Sequence, residues 1–321
     1  MISNMVPLYS LADWKNGLAF KQSHFSEKGK PIIKIAELKN GITAQTAHTQ
    51  LEFDETVHLT KGDMVFSWSG NPQTSIDVFW YDLVDGWLNQ HIFKVTPKDN
   101  VDKRYLYYLL KYLKPQFTAI ASNKQTTGLG HVTVKDMKEL LVPLPELYQQ
   151  QAIGAYLYLI DQKAYINNKI NENLQQQAQA IYASMFIDNA DPAWEQGHLS
   201  DLITVKYGKD HKKLADGRYP VYGSGGVMRH VERPLYDKES VLIPRKGTLN
   251  NVMYVNQPFW SVDTMFYTEM RLPNVAKFVY HFVKEKDLAS MNAGSAVPSM
   301  TTDILNAMEI AIPSKSALEE F

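Results

Sequence analysis

Two glycine clusters are the first places where this chain could hold a phosphate or a nucleotide: Gly128-Leu129-Gly130 and Gly223-Ser224-Gly225-Gly226. Backbone N–H groups at such turns can cradle an anion. Neither cluster forms the G-x-x-x-x-G-K-[ST] of a nucleotide-binding loop, or has the strand-turn-helix context and following acid of a dinucleotide site. The 9 histidines show no H-E-x-x-H or other ligand spacing, so no metal site is expected. A methyltransferase acting on base amino groups needs Asn/Asp-Pro-Pro-aromatic. Asn71-Pro72-Gln73-Thr74 lacks the second proline and the aromatic. No G-x-S-x-G nucleophile turn is present. The acidic pairs Asp54-Glu55 and Glu319-Glu320 are adjacent in sequence and read as surface. A chain without a catalytic signature or cofactor motif is expected to bind or assemble rather than catalyse.

Basic residues offer binding chemistry instead. Lys206, Lys209, His211, Lys212 and Lys213 lie close together, and Arg229, His230, Arg233, Arg245 and Lys246 follow. Such clusters suit phosphates, although a solvated face is the bland alternative. The formal net charge of -1 carries no global excess of cations, so any nucleic-acid surface has to be local.

The chain has 321 residues, which suggests two domains. With 45% hydrophobic and 21% charged residues it has the composition of a soluble globular protein. The cysteine count is 0, which excludes disulfides and thiolate metal sites and fits a reducing cytoplasm. No apolar run approaches the roughly 18 residues of a membrane span. Met1-Ile2-Ser3-Asn4-Met5 lacks a signal-peptide pattern, so a cytoplasmic location is expected.

The elements that position these residues come in two copies, offset by about 170 to 190 residues. Leu8 and Leu11 correspond to Leu199 and Leu202, and Lys30-Pro31-Ile32-Ile33 to Tyr219-Pro220-Val221-Tyr222. Lys61-Gly62-Asp63-Met64-Val65-Phe66 matches Lys238-Glu239-Ser240-Val241-Leu242-Ile243, and Ser69-Gly70 matches Lys246-Gly247. Phe93 falls on Phe266, the stretch 105–111 on 278–284, and Val142-Pro143-Leu144-Pro145 on Ile310-Ala311-Ile312-Pro313. The shrinking offset implies shorter loops in the second copy. Short apolar runs bounded by Gly, Pro or charge predict strands. The spacing over 105–113 and 275–283 predicts helices.

Between the copies, from Glu146 to Phe186, there is no proline and a single glycine, Gly154. Ile153, Leu157, Ile160, Ala164, Asn167, Asn171, Leu174, Ala178, Ile181 and Met185 alternate at spacings of four and three. That is a heptad seam over about four heptads, on a rod of about 60 Å. Asn167 and Asn171 either pair across the seam and fix its register or face solvent at a gap in the packing. The resulting division is 1–145, first domain; 146–188, long helix; 189–313, second domain; and 314–321, the start of a second helix. There Ser316-Ala317-Leu318-Glu319 has a capping-box pattern. The fold class expected is α+β: two similar mixed α/β domains joined by a long coiled-coil-forming helix.

This arrangement resembles the specificity subunits of Type I restriction-modification systems. The resemblance rests on Leu141-Val142-Pro143-Leu144-Pro145 running into Gln149-Gln150-Gln151-Ala152-Ile153, on Tyr219 to Gly226, on Val241 to Thr248 continued by Trp260 to Thr264, and on Gly294 to Met300. It covers essentially the whole chain and is more specific in the second domain. It implies a non-catalytic reader of a split double-stranded DNA target, with one half-site per target-recognition domain. It also implies two long helices paired antiparallel, docked modification (methyltransferase) subunits, and a restriction (motor-nuclease) subunit. Family members carry a second long helix after the second domain, and this sequence stops at Phe321. Three explanations compete: a truncation, a helix supplied by another chain, or pairing between two copies. The alternative functions are the reader of a related Type II system and a two-domain protein scaffold without DNA binding.

Base reading needs hydrogen-bonding side chains on loops that enter a groove, while phosphate contacts position the protein. In the second domain Arg245, Lys246, Gly247, Thr248 and Asn250 are the first candidates, followed by Ser224, Gly225, Ser295 and Ser299. Lys209, Lys212 and Lys213 suit phosphates. The repeat carries these roles to Ser67, Trp68, Ser69 and Asn71, and to Lys124, Gln125 and Thr126. Helix pairing is assigned to Ile153, Leu157, Ile160, Asn167, Asn171, Leu174 and Ile181.

Overall fold

Each half of the chain is organised around a strand that has no solvent face. The structure is a computed structural model and describes residues 4–125, 128–291 and 299–321. It divides into two compact units, Met1–Asn168 and Lys169–Phe321. In the first, strand Met64–Ser67 is buried at every position. Successive side chains of a strand point to opposite faces. Met64 and Phe66 therefore enter a large core with Leu8, Leu11 and Leu106, while Val65 enters a smaller one with Ile33, Trp87 and Leu88. Strand Ser240–Pro244 does the same in the second unit. Val241 and Ile243 join Leu199, Leu202 and Phe266, and Leu242 joins Val221, Phe259 and Trp260. A strand covered on both faces reads as a continuous apolar run, which is why these segments stand out in the sequence. Replacing Phe66 with alanine at such a site costs about 3–5 kcal/mol.

The sheets around these strands repeat. Ala12–Asn16, Ile92–Pro97, Met64–Ser67 and Asp77–Trp80 form an antiparallel sheet in that order. Ile203–Tyr207, Met265–Met270, Ser240–Pro244 and Met253–Val255 form its counterpart. Phe93 lies opposite Phe66, and Phe266 opposite Ile243. These are the pairs that the sequence repeat aligns. A second sheet contains one parallel pairing in each unit: Ile32 beside Trp87, and Val221 beside Trp260. Asn4–Pro7 pairs with Leu141–Leu144, as Glu195–His198 pairs with Glu309–Ile312. The chain is thus an α+β protein of two similar domains.

The long helix Leu147–Ala183 continues into a π-helical turn, Ser184–Asp188. In the first unit its buried Gln150 accepts from the Asp102 backbone N–H at 2.9 Å and donates to the carbonyls of Asn100 and Pro145 at 3.1 and 2.9 Å. Gly154 permits close approach. A Cβ there would lie 2.7 Å from Tyr105 N, at the start of helix Lys103–Tyr112. The Arg104 guanidinium lies 4.3 Å from the Tyr158 ring centroid. In the second unit Tyr182 and Phe186 pack on Phe278 of helix Ala276–Glu285, and Gln179 meets His281 Nδ1 at 2.7 Å. Each domain therefore grips the long helix with the same element of the repeat.

One sequence expectation is corrected at the last helix, Lys315–Glu320. Its N-cap is Ser314, whose side chain accepts from Ala317 N. Ser316 already lies within the first turn, because Ser314 takes the extended conformation that caps require directly after Pro313.

His281 is buried against Tyr182 and Phe321. Burial, and secondarily the charge of Lys284, lower its pKa from 6.5 to about 4. The unfolded chain binds a proton that the folded chain does not. The stability that His281 contributes is therefore full above pH 6.5 and is lost as pH falls from 6.5 towards 4. Urea unfolding of the wild-type chain should show a lower midpoint at pH 5 than at pH 7. His281→Gln should reduce that difference, and an unchanged difference would contradict the assignment.

Candidate nucleic-acid interface

The loop that follows strand Ser240–Pro244 is fastened along its backbone. The N–H groups of Arg245 and Lys246 both donate to the Thr264 carbonyl, at 2.9 and 3.2 Å, and Met300 N–H donates to the Arg245 carbonyl at 2.9 Å. Lys246 bridges Ser299 in antiparallel fashion. The Arg245 guanidinium sits 5.4 Å from the ring centroid of Tyr207, an exposed aromatic at the end of its strand. Its Nη1 donates to the Asp263 carbonyl at 3.3 Å. The side chain is thereby preorganised, which lowers the ordering cost of a contact.

Gly247 connects this loop to the glycine-rich hairpin. Its φ is +85°, and a Cβ would lie 2.7 Å from Ser224 Oγ. Asn251 donates to the Ser224 carbonyl at 2.8 Å. Residues 223–226 and 245–251, far apart in sequence, thus share one surface. Lys246, Gly247, Thr248 and Gly225 are exposed there, and Arg245, Ser224 and Ser299 are half-buried. Asn250 has another task. It donates to Asp287 Oδ1 and accepts from Ala289 N–H, both at 3.0 Å, and so tethers the loop. Lys209, Lys212 and Lys213 are exposed on the segment after Tyr207. Trp260 Nε1 holds the Lys209 carbonyl at 2.8 Å, and Asp210 accepts from Lys212 N–H at 3.0 Å. Ser295 lies outside the described residues.

The first domain builds the same frame with different chemistry. Trp68 N–H donates to the His91 carbonyl at 3.1 Å, as Arg245 does to Thr264, and Ser69 pairs with His131, as Lys246 does with Ser299. Trp68 is half-buried. Its Nε1 donates to Asn16 Oδ1 at 2.9 Å, and its ring lies 5.2 Å from His91 and 6.0 Å from His131. Ser69 Oγ meets His131 Nδ1 at 2.8 Å. His91 has a φ of 75°, and partial burial with the nearby His131 lowers its pKa. Where the second domain offers Tyr207, Arg245 and Lys246, the first offers Asn16, Trp68, His91 and His131.

Several first-domain expectations need correction. Ser67 is fully buried, because strand alternation turns it inward with Val65. It cannot present its hydroxyl to a groove. Ser69 is also buried, and it orients His131 rather than reaching solvent itself. Asn71 is exposed, but its Oδ1 accepts from Gln73 and Thr74 N–H and closes its own turn. Lys124 is ion-paired with Asp136. Gln125 is exposed, and Thr126 lies outside the described residues. Sequence reasoning missed Tyr207, Asn16, His91 and His131. Their only signal was strand register, which places them beside the aligned Ser69 and Lys246. Among the described residues no cluster of three His, Cys, Asp or Glu is placed to hold a metal. No helix among them is long and apolar enough to cross a membrane.

Residues 3–176 and 192–319 match the family described as the Type I restriction modification DNA specificity domain, and the chain belongs to that family. The EcoBI specificity subunit of a Type I restriction enzyme from Escherichia coli is 27% identical over 221 residues, which are 65% of this chain and 43% of that protein. The MjaIX specificity subunit from Methanocaldococcus jannaschii is 26% identical over 276 residues, 73% of this chain and 64% of that one. The matched part is thus less than two thirds of either relative. The crystal structure of a Type I restriction-modification S subunit from M. genitalium shares the fold. Its TM-score is 0.65 at 19% identity, covering 99% of this chain and 86% of that one.

Gly247→Ala forces a side chain into a left-handed φ and against Ser224. It should lower unfolding stability by about 1–2 kcal/mol in urea titration. Gly225→Ala, where a Cβ would have nothing within 4 Å, should leave the midpoint in place.

Proposed function

We propose that this chain is the DNA-reading specificity component of a Type I restriction-modification assembly. Each domain reads one half of a split double-stranded target, and the chain itself performs no chemistry. Modification subunits supply the methyl transfer, and a restriction subunit joins for cleavage. The observation that carries this reading is the repeat of one loop frame with two different sets of side chains. The same backbone pairings hold Trp68, Ser69 and His131 in one domain and Arg245, Lys246 and Ser299 in the other. A protein built to recognise two unlike sequences needs a shared frame and unlike contact groups. Membership of the DNA specificity family supports the same conclusion.

The roles divide by chemistry. Arg245 has the bidentate fork that matches the major-groove edge of guanine, and Tyr207 limits its freedom. Lys209, Lys212 and Lys213 are exposed point charges suited to phosphates. In the first domain Trp68 presents a planar face, and His131 is oriented beside it by Ser69. Asn16 is occupied by the Trp68 indole and acts through it.

Two measurements test this. In the reconstituted complex with modification subunits, Arg245→Ala with Lys246→Ala should weaken binding to the cognate duplex by about 1–3 kcal/mol and relax selectivity at the contacted positions. Lys212→Ala with Lys213→Ala should weaken all duplexes alike and flatten the salt dependence. Methylome sequencing of cells carrying the intact system should reveal a split, adenine-containing motif. Unmethylated DNA, or a continuous motif, would contradict the reading.

A further inference from the structure

The repeat gives the first domain no lysine where the second has Lys209. Lys209 N–H donates to the Ser261 carbonyl; Leu18 N–H donates in the same way to the Leu88 carbonyl, and its side chain packs on the smaller core. Lys124 is neutralised by Asp136. A different cationic group stands beside the reading loop. Lys111 and Lys114 both reach Asp77, at 2.9 and 2.5 Å, and Lys39 donates to the Thr74 carbonyl. Two ammonium groups on one carboxylate leave a positive charge uncompensated. The Asp77 side chain is only 13% exposed, whereas those of Lys111 and Lys114 are 37% and 38% exposed. An ammonium carries three donors, and Asp77 takes one from each lysine.

We propose that Lys111, Lys114 and Lys39 hold the DNA backbone beside the first half-site, and that Asp77 positions two of them. The proposal rests on the DNA-reading role proposed above. Strand order sets the geometry. Asn16, His91, Trp68 and Asp77 come at the same end of four neighbouring strands. Neighbouring strands are about 5 Å apart, so Asp77 stands one strand from Trp68 and about 10 Å from His91. A major groove is roughly 12 Å wide, so a base edge brought to Trp68 and His131 carries a flanking phosphate to the lysines. The turn between them is fixed. Ser75 lies against Gly70, where a Cβ would come 2.6 Å from Ser75 Cβ, and Thr118 Oγ1 donates to the Pro72 carbonyl at 3.2 Å. Lys111 is held as well, its ammonium 5.5 and 5.6 Å from the Phe79 and Tyr107 ring centroids.

The second domain is charged the other way round. The offset between helices Lys103–Tyr112 and Ala276–Glu285 places Lys284 where Lys111 stands and Asp287 where Lys114 stands. Lys284 turns back to the Tyr280 hydroxyl at 2.6 Å, and Asp287 accepts from Asn250 at 3.0 Å. A carboxylate at this edge repels a phosphate. The exposed lysines of the second domain follow Tyr207 instead, beyond the other outer strand of the equivalent sheet. Each domain thus grips the backbone from a different edge of the same frame. Backbone contacts fix register and orientation without reading sequence, so this difference sets how each domain lies over its half-site.

The test is a salt series of cognate-duplex binding by the complex reconstituted with modification subunits. Each neutralised phosphate adds about 0.9 to the steepness of log K against log salt. Lys111→Gln with Lys114→Gln and Asp77→Asn, which leaves no unpaired carboxylate, should make the slope shallower by about 2 and weaken binding about tenfold at roughly 0.1 M salt. Lys39→Gln, at an exposed position, should make it shallower by about 1. Lys111→Arg with Lys114→Arg should keep the wild-type slope. In every variant the preference for the cognate duplex over one with its first half scrambled should stay as in the wild type. A merely structural role would lower the amount of active complex and leave the slope alone. An unchanged slope in the triple variant would therefore overturn the proposal while the DNA-reading role stands. So would a loss confined to the cognate duplex, which would make these lysines base readers. Failure of the wild-type complex to bind any duplex would overturn both.

Discussion

Burial of one strand on both faces is the constraint from which each domain follows. Met64–Ser67 and Ser240–Pro244 send alternate residues into two cores, so elements must exist on both sides of them. One side is supplied by the helix that grips the long helix. The other is supplied by the sheet with the parallel pairing. The chain leaves both layers at the end of this strand, and there the loops at Trp68–Gly70 and Arg245–Gly247 emerge. A slip of one residue would exchange the two cores and turn the loops over. The site is therefore positioned by packing far from any ligand.

On this fixed frame the two domains differ in chemistry. The second presents a restrained guanidinium over an exposed tyrosine with lysines nearby. The first presents an indole bracketed by two imidazoles, with its N–H already committed to Asn16. The backbone hydrogen bonds that hold these positions involve no side chain, so the contact groups can change without disturbing the frame. That separation lets one frame carry two unlike sets of contact groups.

The long helix obeys a different constraint. Its docking face uses close approach and polar clasps: Gly154 against Tyr105 N, Gln150 closing three backbone groups, Gln179 on a buried neutral His281. The exposed aliphatic residues Ile153, Ile160, Leu174 and Ile181 lie beside that face.

The sequence by itself determined the repeat, the strands at its centre and the extent of the long helix. Each is written in local periodicity: apolar runs for strands buried on both faces, 3.6-residue spacing for the helices, heptads for the seam. It also determined which loops carry Arg245, Lys246 and the glycine hairpin. Only the tertiary structure decided which side chains on those loops are available. Ser67 and Ser69 look like Thr248 in sequence, yet strand alternation buries them, and Asn71 and Asn250 are consumed in holding turns and loops. Tyr207, Asn16, His91 and His131 entered the site through strand register, a relation between residues distant along the chain. Burial and hydrogen-bond partners arise from such long-range pairings, and no local pattern encodes them.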